Sequence, residues 1–431
     1  MSAQNADRPV RTVSAADGFS FLDDSDVRVL TDAFERVRAR SFRFVGGSVR
    51  NPLIGLAPSD LDAATLLEPA AASDAIEAAG WRAVPTGVEH GTVTAAKDGR
   101  SVEVTTVRAD VKTDGRRAEV VFGADWSEDW RRRDFTMNAI YLGPDGALYD
   151  PAGGIDDALA RRVRFIGDAD ARIAEDHLRI LRFYRFCAWY GAEINPQADA
   201  ACARGRDGIA RLSAERVRAE LLRLLAAPNP RSAVAAMLRA GVLAARFDAA
   251  PDEQSFNRLV EIAGDAGPAR DAIARLAALF PDAGADFADA LRFSKKERDA
   301  LVAVQEAAEA LAGLDRLSPN EVRARRYPLT SDAFGAGAAL AQARGEAQAD
   351  DLGWRRAIAT GLDWTPPAFP ISGEDARRAG VDPGPAIGWV LKAVENDWIE
   401  ADFPDDPAFL AKRLKARAAE TASGPAPGGE A

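Results

Sequence analysis

The stretch FRFVGGSVRNPLIGLAPSDLDAAT, residues 42–65, decides how the front of this 431-residue chain is read. FRFV reads as a short buried strand that meets a glycine turn, and SDLDAATLL (59–67) alternates like a second strand. Side chains alternate along a strand, so Asp60 and Asp62 leave it on the same face. Two carboxylates that close repel strongly unless a divalent cation lies between them. Hard oxygen ligands of this kind suit Mg²⁺, with substrate phosphates completing its shell. Glu103, in the run VEVTTVR, is placed to pair beside that strand and to supply a third oxygen ligand. Such an array fits two-metal phosphoryl transfer, one ion activating an attacking hydroxyl and the other stabilising the leaving phosphate. By itself a D-x-D pair also describes a solvated turn; Glu103 and the later motifs weigh against that.

The same stretch is tested against a dinucleotide loop. That fold wants G-x-G-x-x-G straight after a strand and an acidic residue about 20 positions on. Here Gly46 and Gly47 are adjacent and the next glycine, Gly55, stands too far away, so the fingerprint fails. Adjacent glycines instead let backbone amides approach a phosphate, and Arg50 adds a charge for a triphosphate. A tight strand-to-helix turn with no ligand is the plainer alternative for the glycines alone.

Outward from this stretch, SDVRVLTDAFERVRAR (25–40) carries Val27, Leu30, Phe34 and Val37 at amphipathic-helix spacing. ASDAIEAAGW (72–81) reads as a helix, and TVTAAKDGRSVEVTTVRAD (92–110) as a hairpin turning at Asp98-Gly99. Residues 1–18 are polar and without pattern, and are expected to be flexible. After YDPAGGIDDALARRVRFIG (149–167) the strand signals stop. Helical patterns follow, broken at APNP (227–230), 263–269 and 280–286, with a proline-rich patch at 362–373 before a last helical unit. The tail TASGPAPGGEA is low in complexity and expected to be disordered. The expected fold class is α+β: a head with a small mixed sheet over 19–155, then all-helical segments over 156–230, 231–365 and 366–417, with 418–431 disordered. Length alone suggests roughly three domains.

Composition limits the rest. The net charge of −11 is the wrong sign for non-specific coating of nucleic acid, so any nucleic-acid contact must come from a local basic patch. Two histidines, His90 and His177, exclude a histidine-rich metal centre and an appended His-Asp phosphohydrolase. Cys187 and Cys202 are too few for a disulfide framework or a cysteine zinc site, and Cys187, in an aromatic run, reads as a core residue. No secretory signal and no run of about 18 apolar residues appears, so no membrane partner and a cytoplasmic setting are expected.

At this point the residues resemble a known family. GGSVRN…SDLDAAT is similar to the G-G-x-V-R-D…D-x-D motif of class II tRNA nucleotidyltransferases, which share the DNA polymerase beta superfamily with bacterial poly(A) polymerases. RRRDFTMNAIY (131–141) looks like the family's R-R-D-F-T-x-N-A ribose motif, and residues 149–167 look like its head-to-neck linker. EDHLRILRFYRF (175–186) looks like E-D-x-x-R-x-x-R-x-x-R-F, and LSAERVRAEL (212–221) like S-x-E-R-x-x-E-L. The motifs fall in the family's order over residues 42 to about 221. Asn51 departs from the family's usual aspartate, and a helix-start role is expected for it.

The resemblance implies a CCA-adding enzyme that uses CTP, ATP and the tRNA 3′ end, with Mg²⁺ on Asp60, Asp62 and Glu103. A poly(A) polymerase or a CC-only or A-only enzyme is the alternative within the family, and an inactive RNA-binding protein the alternative outside enzymes. The 114–136 segment, read as a long loop, disfavours a CC-only enzyme. Gly46, Gly47, Arg50 and Arg133 are implied to position the triphosphate, with Asp134 and Asn138 near the ribose. Asp176 and Arg179, three apart on one helix, are implied to read the base. Cytosine and adenine both offer an amine beside a ring acceptor, whereas uracil and guanine put a carbonyl where a carboxylate needs a donor. An unpaired buried polar group costs about 1–3 kcal/mol. Arg182 and Arg185 are expected to face the triphosphate or brace the readers. Cations of RLSAERVRAELLR and the 366–417 unit are expected to meet tRNA phosphates, and no obligatory protein partner is evident.

Overall fold

Residues 7–58, 61–87, 91–113, 118–122, 125–263, 271–345 and 348–422 are described by the structure, a computed structural model. The chain divides into two compact units, Met1–Asp248 and Ala249–Ala431. The expected head and neck therefore belong to one unit.

The first unit is built on an eight-stranded sheet in the order β1-β10-β9-β2-β3-β6-β5-β4. Its strands are β1 (Arg11–Thr12), β2 (Phe42–Val45), β3 (Leu61–Thr65), β4 (Arg82–Gly87), β5 (Thr92–Lys97), β6 (Arg100–Thr106), β9 (Tyr141–Leu142) and β10 (Ala147–Tyr149). Every neighbouring pair is antiparallel except β3 with β6. β7 (Arg108–Thr113) and β8 (Ala118–Phe122) form a separate two-stranded ribbon. The β5–β6 hairpin turns as expected, with φ of 50° at Asp98 and 76° at Gly99, the left-handed pair that a two-residue turn requires.

β2 is buried at all four positions. Phe42 and Phe44 pack edge-on against each other at 5.1 Å and take Phe34 and Phe21 beside them. Arg43, on the alternate face, is compensated by two aromatic rings, Trp126 at 4.3 Å and Tyr149 at 3.7 Å, and by Asp7 at 3.1 Å. Phe34 comes from α1 (Ser25–Val37), capped by Asp24, whose carboxylate accepts from the backbone N–H of Asp26 and Val27. Helices α2 (Gly47–Leu53), α3 (Pro69–Ala78) and α4 (Trp126–Arg132) complete the head. The helical segment begins with α5 (Gly154–Leu159), α6 (Ala169–Glu175), α7 (Leu178–Tyr190), α8 (Pro196–Gly205) and α9 (Ala214–Leu225).

Two expectations are corrected here. The start expected to be flexible, residues 1–18, supplies β1, paired as Arg11↔Leu148 and Thr12↔Ala147, and Val13 is buried. A two-residue strand has too little pattern to be seen without its partner. The 114–136 segment is not one long loop, because β8 and α4 occupy most of it; residues 114–117 and 123–124 lie outside the described residues.

The second unit is helical, from Glu253–Ala263 to Pro407–Ala422. Its helix Ser331–Arg344 is buried along most of its length. Gly337 permits that, since a Cβ there would stand 2.5 Å from the Cβ of Ala307 on a neighbouring helix. Trp398, Tyr327 and Phe403 form an aromatic knot over Val390, Val394 and Leu410. The last helix continues to Ala422, past the expected end at 417, and 423–431 lie outside the described residues. No described helix is long and apolar enough to cross a membrane.

Candidate active site

Parallel pairing of β3 with β6 sets Asp62 opposite Glu103 in register, so both carboxylates leave the same face of the sheet. Ser48 pins the strand to the start of α2: its hydroxyl accepts from the Asp62 N–H at 2.6 Å and donates to the Asp62 carbonyl at 3.2 Å. Between β2 and α2 the chain turns at Gly46 with φ 66° and ψ −128°. A Cβ there would stand 3.6 Å from Asp62 Oδ2, so bare backbone faces the carboxylate. Asp60 lies outside the described residues, and among those residues no three acidic, histidine or cysteine side chains gather as a metal cluster. The pair that is described, two same-face carboxylates beside a glycine turn, is an oxygen-only donor set that fits a hard divalent cation.

Arg50 lies just inside α2 and is only 5% exposed. Its guanidinium donates to Asn138 Oδ1 at 2.5 Å and to Asn51 Oδ1 at 2.9 Å, and it lies 4.0 Å from the ring centre of Tyr190. Burial draws its pKa down, against partial support from Tyr190. Asn51 therefore holds Arg50 from within α2 and does not start the helix; its amide donates to the Ala57 carbonyl.

The RRRDFT segment is tied at both ends. Asp129 of α4 is fully buried and accepts from Arg132 and Arg133, each Nε at 2.9 Å, and from the Tyr141 hydroxyl at 2.6 Å. Burial opposes its ionisation, yet the two guanidiniums hold its carboxyl well below the usual carboxylate range. Asp134 accepts from the Phe135 N–H at 2.8 Å, Asn138 Nδ2 at 2.9 Å and Arg182 Nε at 2.8 Å. There too burial opposes ionisation, and the Arg182 charge with these hydrogen bonds keeps the carboxyl below its ordinary value.

The helical side differs from expectation. Asp176 does not share a helix with Arg179: it is extended, φ −154° and ψ 107°, in the break between α6 and α7. Its own carboxylate makes the break, accepting from the Leu178 N–H at 3.0 Å, a local bond that competes with helix continuation. The adjoining His177 sits so close over Gly208 that a Cβ there would fall 1.8 Å from its ring. Asp176 pairs with Arg216 of α9 at 2.6 Å, while Arg179 pairs with Glu175 at 2.5 Å and donates to the backbone carbonyls of Arg172 and Arg132. Arg185 is held by buried Glu220 of α9 at 2.6 Å.

These elements line a cavity of about 730 Å³. Gly46, Gly47, Arg50, Asp62, Arg133, Asp134 and Asn138 face it from the head, and Asp176, Arg179, Arg182 and Arg185 from the helices. Of the predicted site residues that are described, Glu103 alone is absent from the lining. Arg132, Leu178, Phe186, Arg216 and Arg223 line it as well. Arg216 lies in the S-x-E-R motif, and Arg223 closes the RLSAERVRAELLR stretch whose cations are expected to meet tRNA phosphates. Eight arginines thus face three aspartates, a strongly basic chamber within an acidic chain.

Residues 42–164 match the family model of the poly A polymerase head domain, and residues 191–251 that of a probable RNA and SrmB-binding site of polymerase A. The chain is 32% identical over 413 residues to the mitochondrial CCA tRNA nucleotidyltransferase 1 of Mus musculus, covering 92% of this chain and 91% of that protein. It is 30% identical over 377 residues to the CCA-adding enzyme of Levilactobacillus brevis, covering 85% and 92%. In fold it is similar to the Bacillus stearothermophilus CCA-adding enzyme in complex with CTP, with TM-score 0.74, 22% identity and coverage of 93% and 99%. A second similar structure is the Thermotoga maritima CCA-adding enzyme complexed with tRNA-CCA, with TM-score 0.66, 20% identity and coverage of 95% and 99%.

Proposed function

The chain belongs to the family of CCA tRNA nucleotidyltransferases, and from that premise we propose that it adds C, C and A in turn to tRNA 3′ ends, taking CTP and ATP and using no nucleic-acid template. The observation that carries the reading is the chamber in which a glycine turn and Asp62 face Asp176 and the arginines of α7 and α9. The tRNA 3′-hydroxyl attacks the α-phosphate of the nucleotide, a new phosphorus–oxygen bond forms, and the bond to the bridging oxygen breaks to release pyrophosphate. Asp62 and Glu103, with Asp60, would hold Mg²⁺, which when bound supplies activation of the hydroxyl and neutralisation of the departing phosphates.

The remaining roles fall to the protein's own groups. The backbone at Gly46 and Gly47 admits phosphate oxygens, and Arg50 and Arg133 orient the triphosphate with their own geometry already fixed by Asn138 and Asp129. Asp134, bonded to Asn138, stands for the ribose side. Asp176 keeps acceptor capacity beyond its bonds to Leu178 and Arg216, enough to receive the amine of cytosine or adenine, and Arg179 offers the donor. Uracil and guanine would set a carbonyl against that carboxylate. Arg182 and Arg185, locked to Asp134 and Glu220, brace the readers. The reading keeps a catalytic head over 19–155, a base-selecting neck over 156–230, a body over 231–365 and a tRNA-contacting tail over 366–417, in a cytoplasmic setting.

The test is incubation of the purified protein with Mg²⁺, tRNA lacking its CCA end, and each nucleoside triphosphate alone and together. Extension by three nucleotides only when CTP and ATP are both present is expected. Long A tails, or arrest after CC with ATP present, would overturn the reading.

A further inference from the structure

Trp189 is the one exposed aromatic side chain among the described residues, 37% accessible. It stands in the last turn of α7, three residues past Phe186 and seven past Arg182, on the helix face that borders the cavity. Its indole N–H donates to the Arg223 backbone carbonyl at 2.7 Å, which satisfies the donor and fixes the ring. Arg223 is exposed, lines the cavity, and has no carboxylate partner among the described residues. The cavity's other arginines are each paired with a carboxylate or, in the case of Arg50, buried against neutral partners.

An outward ring beside an uncommitted guanidinium is the combination that holds single-stranded nucleic acid: a base stacks on the ring and a phosphate meets the cation. We infer that Trp189 and Arg223 form a docking point for one nucleotide of the RNA strand being extended, its base on the indole and its phosphate on the guanidinium. This rests on the proposed function of the same cavity. The stacked base belongs to a different nucleotide from the one read at Arg179, because ten residues of helix separate the two positions, about 15 Å at 1.5 Å per residue. One helix thus holds an incoming base at its start and a strand base at its end.

The test measures RNA binding by filter retention across a salt series, with tRNA lacking CCA and the full-length protein, and CTP binding by equilibrium dialysis. Trp189→Ala raises the RNA Kd about tenfold, the size expected for one lost base stack, and Trp189→Phe stays within about threefold of wild type. Arg223→Ala lowers the slope of log Kd against log salt by about 0.7, one single-strand phosphate contact. CTP binding is unchanged in both Trp189 variants. An RNA Kd unaffected by Trp189→Ala overturns the inference, as does equal loss in the Ala and Phe variants or a parallel loss of CTP binding. A wild-type protein that binds CTP and extends RNA while Trp189→Ala behaves normally leaves the proposed function standing. A wild type that binds no RNA sinks both.

Discussion

The two walls of the cavity are built by opposite means. The head wall is made of backbone and register: a glycine turn with no side chain in the way, and Asp62, which the parallel pairing of β3 with β6 sets opposite Glu103, a residue outside the cavity lining. The wall formed by α7 and α9 is made of charge: Asp176, Arg179, Arg182 and Arg185 are each held by an oppositely charged partner. A wall of backbone has no spare parts, so under the proposed function a change to its one or two polar groups is expected to cost the most. A wall of paired charges shares its load, so a single change there alters selectivity before it alters turnover.

The sharpest way to break this contrast is Asp62→Asn. The substitution keeps the volume and removes the charge beside Gly46. Loss of a carboxylate that would hold the cation neutralising the reacting phosphates is worth several kcal/mol, so single-turnover addition of CTP should fall by about 10³-fold or more while CTP still binds. Near-normal turnover would show that the head wall is not where the reaction happens. Next in size is the other wall. Asp176→Ala, or Arg179→Ile, should raise UTP incorporation relative to CTP by about tenfold to a hundredfold, the cost of one mismatched polar contact. The rate with CTP should change less than it does in Asp62→Asn. If UTP stayed fully excluded in both variants, the charged wall would hold the fold together without reading the base.

How far each wall was legible beforehand follows from the same contrast. Register and turns are local, so the strand at 61–65, the hairpin at Asp98-Gly99 and the glycine turn could be read from period and residue type. Glu103 could be read only as lying on a strand able to pair beside β3; the parallel register that sets it opposite Asp62 is not local. The charged wall was legible only as a set of residues. Which carboxylate holds which arginine depends on helices brought together from distant positions: Asp176 takes Arg216, forty residues on, and Asp134 takes Arg182. The break at Asp176 was missed because a side chain that caps its own following turn has the same letters as one that continues the helix. Asp129 carries no signal in the sequence that sets it apart from the chain's other acids, although it anchors Arg132 and Arg133. β1 escaped because a two-residue strand exists only through its partner.

Asp129 also joins the walls, since Arg132, which it holds, offers its backbone carbonyl to Arg179. That gives the smallest and most discriminating prediction, a pH effect. Asp129 is fully buried, and burial alone would raise its pKa; the two guanidiniums win and hold it well below the ordinary value near 3.9. As pH falls through that ordinary value the unfolded chain takes up a proton that the folded protein refuses, so the unfolded state binds more protons and stability falls with pH. The stabilisation is therefore complete above about pH 5 and is lost progressively below it, by at most about 1.4 kcal/mol per pH unit for one group. Asp129→Asn removes the titrating group. The variant should be less stable than wild type near neutrality, because two guanidiniums lose their counter-charge, yet its melting temperature should fall less steeply between about pH 5 and pH 3. Some slope should remain, since Asp134 is held below its ordinary value in the same sense. Thermal unfolding of both proteins across that interval measures the difference directly. Parallel curves would mean that Asp129 does not carry a charge in the folded protein, and the joint between the two walls would then be held by hydrogen bonds alone.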